Sequence, residues 1–108
     1  AGSQRMYDID TTDPAGPYTD GTYTGTGIGV GGAINVTIEV SGGKISVTDI
    51  SPNNETRGIG GFEAIEDGTY ARLVEDAQGS GFDAISGATR TSEAIQAAVR
   101  AALGQAAA

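Results

Sequence analysis

The chain has 108 residues, neither His nor Cys, and 14 acidic residues against 6 basic ones, for a net charge of −8. The length suits one domain with a modest core, and the charge argues against a nucleic-acid or anionic-membrane partner. Without His there is no Ser-His-Asp arrangement, and without His or Cys no ordinary zinc site; carboxylates are present but no pair is located by the sequence, which argues against a self-contained hydrolase.

Residues 1–17 are polar and contain Pro14 and Pro17, which predicts an arm or linker ahead of a domain over 18–108. The opening AGSQRMYDID shows no leader pattern and reads as a trimmed end. Asp8, Asp10 and Asp13 have the spacing of calcium ligands. Asp13 stands where an EF-hand loop needs Gly, however, and no closing Glu follows, so the arm reads as solvated acid.

From Gly21 to Ile50 the hydrophobic period is two. TYTGTGIGV predicts a Gly-softened first strand. AINVTIEV (33–40) predicts a second, with Ile34, Val36, Ile38 and Val40 on one face. Ser41-Gly42-Gly43-Lys44 is a hairpin turn, and in ISVTDI the residues Ile45, Val47 and Asp49 share a face. Pro52, Asn53 and Asn54 end the sheet, and ETRGIGGFEAI begins as a loop and turns helical. Asp67 or Gly68 caps a helix with the apolar stripe Tyr70, Leu73, Val74 and Ala77, stopped by Gly79 and Gly81. Asp83 to Ile85 forms a short strand. A last helix starts near Thr91 or Ser92 and buries Ile95, Ala98, Val99, Ala102 and Leu103, with Glu93 in its first turn and Arg100 near its end. The expected architecture is α+β: an antiparallel, Gly-rich bent meander with two main helices packed on one side.

Gly27-Ile28-Gly29-Val30-Gly31-Gly32 fits G-x-G-x-x-G literally. A dinucleotide fingerprint needs a helix after the glycines. A period-two strand follows here, so the glycines mark a bent strand approached closely by another backbone. Asn35-Val36-Thr37 and Asn54-Glu55-Thr56 match the glycosylation acceptor, a pattern too short to be specific. "DGTY" occurs at Asp20 and at Asp67, but its flanks differ and it is no repeat.

The stretch Asp83-Ala84-Ile85-Ser86-Gly87-Ala88-Thr89-Arg90-Thr91-Ser92 places hydroxyls at a helix entrance with no base to activate them. Ser and Thr cap helices and Gly turns chains, so the residues alone allow a plain helix entrance on a non-catalytic binding or surface module. They also allow an anion site, since the free N–H groups and dipole at that end favour a phosphate. An unaided threonine hydroxyl is a poor nucleophile, so phosphate chemistry on it needs a second enzyme.

Asp83 to Thr89 resembles the flavinylation motif of the FMN-binding domain family, in which a separate, magnesium-dependent FMN transferase moves FMN from FAD onto the last residue of S/T-G-A-T/S. Asp20-Gly21-Thr22-Tyr23-Thr24-Gly25-Thr26-Gly27, the AINVTIEV-turn-KISVTDI hairpin, Glu55-Thr56 with Gly58-Ile59-Gly60, and Thr91-Ser92-Glu93-Ala94-Ile95 follow in that family's order, over Tyr18 to Leu103. The resemblance implies Thr89 as the covalent acceptor and FMN as the cofactor. It implies that Ser86 and Thr91 bond the turn or the phosphate, and that Gly87 and Ala88 keep the approach open. Asp83 then orients the turn or assists the transferase, while Ser92, Glu55 and Thr56 complete the cofactor surroundings. It further implies an electron-transfer role beside a redox partner in a larger reductase or respiratory protein, in an extracytoplasmic setting in bacteria or archaea.

Overall fold

A computed structural model describes residues 13–14, 16–58 and 60–107. Three antiparallel strands, β1 (Gly21–Gly29), β2 (Gly32–Ser41) and β3 (Lys44–Ser51), form one sheet with β2 in the centre. Among the described residues three helices follow: α1 (Gly61–Glu66), α2 (Thr69–Ala77) and α3 (Thr89–Ala106). α3 lies across β1 and β2, and α2 against β3, which is the expected α+β layout with one short additional helix.

The alternation in β2 works as its pattern predicts: Ile34, Val36, Ile38 and Val40 are all buried, facing Ile95, Val99 and Leu103 of α3 in one core. On the outer face the Thr24 and Thr37 hydroxyls pair at 2.9 Å, and Thr26 donates to Asn35 at 2.6 Å. β3 departs from the simple period. The register shifts between Thr37 and Ile38, so Val47 faces Ile38 while Asp49 faces Thr37 and Ile50 faces Val36. This bulge puts Ile50 against the core and Asp49 in solvent, the reverse of the expected face.

The glycines of β1 let two backbones touch. A Cβ on Gly25 or Gly27 would collide with the carbonyl oxygens of Ala98 and Ala94 in α3. Small residues on both partners therefore bring α3 down onto the strand. Within G-x-G-x-x-G the expected close backbone approach holds at Gly27 and, against Asn54, at Gly31, whereas Gly29 makes room for the Glu55 side chain and Gly32 faces open space.

The strand edges are held by side chains. On β3, Gln78 accepts from the Ile45 N–H at 2.8 Å and donates to the Ile45 carbonyl at 2.9 Å, and Glu75 accepts from the Val47 N–H at 2.9 Å. On β1, Gln105 donates to the Thr24 carbonyl at 2.7 Å. Such clasps use strand groups that could otherwise pair with another chain.

Several local expectations are corrected. α2 stops at Gln78, a non-glycine in the left-handed conformation (φ 54), before either expected glycine. Its two bonds to Ile45 oppose the cost of that conformation. Ala77 is exposed and leaves the stripe to Tyr70, Val74 and the half-buried Leu73. Asp83 to Ile85 is not a strand. α3 begins at Thr89, so Glu93 lies beyond its first turn and Arg100 well short of its last. Within the expected arm, Asp13 is half-buried, and its carboxylate accepts from the Ser80 N–H at 3.0 Å and from the Ser80 hydroxyl at 2.5 Å. Asp8 and Asp10 lie outside the described residues.

Candidate functional site

The chain enters α3 through a tight turn. Ala88 N–H donates to the Ile85 carbonyl at 2.9 Å, and Gly87, third in that turn, has φ 83. A type II turn requires positive φ at this place, and glycine supplies it without strain. The first helical bond runs from Ser92 N–H to the Ala88 carbonyl at 2.9 Å, and no side chain caps the end. The N–H groups of Thr89, Arg90 and Thr91 therefore have no acceptor among the described residues, with the positive end of an 18-residue helix behind them. Thr89 is exposed.

These groups line a cleft of about 250 Å³, completed by Gly87, Ala88, Val30, Thr56 and Gly61. Ligand pockets run to about 300–1,000 Å³, so this one suits part of a nucleotide-sized molecule with the rest in solvent. Val30 is 56% exposed at the tip of the β1–β2 hairpin and supplies an apolar wall. A wider concavity of about 750 Å³ lies between the β2–β3 turn and α2. Two of its polar side chains, Glu75 and Gln78, are already bonded to β3, and Lys44 and Asp76 also line it.

Glu55 holds the cleft together from behind. Its carboxylate, 6% exposed, accepts from the Val30 N–H at 3.1 Å, from the Gly31 N–H at 2.7 Å and from the Thr91 hydroxyl in a short hydrogen bond. One side chain thereby ties the hairpin tip to the first turn of α3. Burial alone pushes its carboxyl up. The bonds from Thr91, Gly31 and Val30, with the Arg90 charge, outweigh that and hold it below its ordinary value of 4.5. Glycines make the room: a Cβ on Gly29 would meet this carboxylate, one on Gly31 the Asn54 carbonyl, and one on Gly61 the Thr91 side chain.

Beneath the turn, Ser92 is fully buried. Its hydroxyl pairs with the Tyr70 hydroxyl at 2.8 Å and accepts from the Ile85 N–H at 3.0 Å. Burial raises the Tyr70 hydroxyl, the Ser92 bond opposes this, and the Glu55 charge adds to it. In front, Glu63 accepts from the N–H groups of Gly58 at 2.9 Å and Gly60 at 3.2 Å, and Arg57 stacks over the Phe62 ring at 4.6 Å.

Of the candidate residues from the sequence, Thr56, Gly87, Ala88, Thr89 and Thr91 meet at the cleft. Ser86 and Asp83 are exposed beside it and are not among its lining residues. Thr91 reaches the cleft, but its hydroxyl is committed to Glu55. Ser92 and Glu55 are turned inward and act as supports. Sequence reasoning missed Val30, Gly61 and Arg90 as lining residues. Val30 carried a usable signal: it is a lone apolar residue between glycines at a strand end.

The residues fit a phosphate-bearing group. The cleft is lined by an uncapped helix start, an arginine and an exposed threonine, in a chain that is otherwise strongly acidic. Among known families, the pattern of the FMN-binding domain matches residues 29–104, a span that includes every lining residue of the cleft. No curated protein matches the chain.

Proposed function

The chain belongs to the FMN-binding domain family, and from that premise we propose that it is an electron-transfer module carrying FMN through a phosphoester on Thr89. One observation carries the attachment point. The Thr89 hydroxyl is exposed at the open N-terminus of α3, within the cleft, and makes no hydrogen bond to another described residue.

When bound, FMN supplies one- and two-electron redox chemistry, which the protein's own side chains lack. The chain's residues do the holding. The N–H groups of Thr89, Arg90 and Thr91 face the phosphate position, and the helix dipole favours negative charge there. Gly87 fixes the turn that presents Thr89, and buried Ala88 keeps bulk away from the approach of a second enzyme. Val30 offers an apolar surface for an aromatic ring. Glu55 and Thr91 fix the separation between that surface and the helix end.

The described residues that line the cleft include no base for Thr89, so attachment belongs to a magnesium-dependent FMN transferase that uses FAD. The loaded domain then exchanges electrons with a redox partner domain or protein, as part of a larger reductase or respiratory electron-transfer protein in an extracytoplasmic compartment. An absorbance scan tests the covalent reading. Protein made with the transferase stays yellow after denaturation and desalting, and Thr89→Ala protein made the same way turns colourless. Loss of the flavin from wild type on denaturation would defeat covalent attachment.

A further inference from the structure

Arg90 is the second residue of α3 and lines the cleft beside Thr89. A cation in the first turn of a helix opposes the macrodipole, and α3 has no acidic residue in that turn to offset it. The side chain is exposed, and its guanidinium donates no hydrogen bond to another described residue. The carboxylate that feels its charge, Glu55, is already satisfied by Val30, Gly31 and Thr91. Neither packing nor pairing in the protein alone requires an arginine at this position.

We propose that Arg90 is a positioning residue that clamps the phosphodiester joining Thr89 to the flavin. This rests on the reading of Thr89 as the attachment residue. In the transfer, an Oγ–P bond forms on Thr89 and the P–O–P bond of the flavin dinucleotide breaks. AMP and the hydroxyl proton are released, and no electron changes hands. The resulting diester carries one negative charge shared by two non-bridging oxygens. A guanidinium presents two parallel N–H donors to such a pair, which an ammonium cannot match. The uncapped helix end would offer its own N–H groups to the same oxygens, so Arg90 would fix the rotation of the linkage as well as adding charge. With the linkage held, the ring is confined to the Val30 side of the cleft. Glu55 does not compete for the guanidinium, because its own three donors keep it behind Thr91.

The experiment compares flavinylated wild type, Arg90→Lys and Arg90→Gln by phosphorus NMR and by thermal melting, each beside its unmodified form. Unmodified Arg90→Gln is expected to melt at or slightly above wild type, since no packing depends on Arg90 and its charge opposes the helix dipole. The diester resonance of native wild type is expected to stand apart from its position in denatured protein. In Arg90→Gln it moves toward the denatured position, with Arg90→Lys between the two. The rise in melting temperature on flavinylation is expected to be smaller in Arg90→Gln than in wild type. An unchanged resonance and an unchanged rise in Arg90→Gln would overturn the clamp while leaving attachment intact. No bound phosphorus on any of the three, with a transferase active on another substrate, would remove the attachment reading and this inference with it.

Discussion

The Thr91 hydroxyl donates to the Glu55 carboxylate across 36 residues of sequence, and both groups are buried. This bond joins the loop after β3 to the first turn of α3. Removing its donor leaves a buried carboxylate short of a partner, a loss of about 1–3 kcal/mol. Thr91→Val is therefore expected to lower the melting temperature by several degrees, at roughly 4–8 °C per kcal/mol for a domain of this size. Thr91→Ser keeps the hydroxyl and stays close to wild type. Circular dichroism melts decide it: a Thr91→Val curve on top of wild type would show that the bond contributes nothing.

The same carboxylate sets an acid limit. Glu55 is held below its ordinary value of 4.5 in the folded protein, so folding favours its charged form. Its contribution is fully present above 4.5 and is lost as pH falls through the lower folded value. Glu63 shifts the same way, through the N–H groups of Gly58, of Glu63 itself and of Gly60, and so does Asp67, through the Thr69 hydroxyl and N–H. Stability is expected to be level near neutrality and to fall below 4.5. Glu55→Gln is expected to start less stable at neutral pH and to lose less on acidification. Parallel stability curves for the two proteins from neutral to acid pH would contradict this.

Sequence and structure agree where local pattern decides the outcome, and part where distant partners do. The alternation of Ile34, Val36, Ile38 and Val40 and the spacing of Ile95, Val99 and Leu103 reflect burial on one face, which a period of two or of 3.6 reports directly. The β3 bulge adds one residue at Thr48, and nothing local reports it. Thr91 and Ser92 look like capping residues because hydroxyls cap helices. Their hydroxyls bond instead to Glu55 and Tyr70, far away in sequence, and the helix starts earlier, at Thr89. Of Asp83 to Ile85 only Ile85 favours a strand; its N–H is taken by Ser92 and no ladder forms. Of the site, the motif around Thr89 was legible. Val30 and Glu55 took their places only when the hairpin tip met the helix end.

The glycine contact between β1 and α3 makes a stability prediction of its own. Gly27→Ala places a methyl group against the Ala94 carbonyl, and neither backbone can move freely. The expected cost is about 1–3 kcal/mol, as for other overpacked sites. Gly81 has open space around its Cβ position, and its φ is not in the left-handed range. Gly81→Ala is expected to be neutral or stabilising by about 0.4–1 kcal/mol. Equal effects from the two substitutions, measured by chemical denaturation, would show that the close approach is not limiting.

Val36 and Val99 are fully buried on the facing surfaces of β2 and α3. Val36→Asp or Val99→Asp buries an unpaired charge, among the most disruptive of single changes. Both are expected to abolish the cooperative thermal transition of the unmodified protein. If either variant melts like wild type, the sheet-on-helix core is wrongly assigned.

The central claim is that Thr89 carries the flavin, and intact mass with peptide mapping tests it most directly. Wild type co-expressed with an FMN transferase is expected to gain one FMN less one water, on the peptide containing Thr89. Thr89→Ala is expected to gain nothing while keeping its fold, because the exposed Thr89 side chain caps nothing and makes no hydrogen bond to another described residue. A modification mapped to Ser86 or Thr91, or no mass gain beside a transferase active on another substrate, would contradict the account.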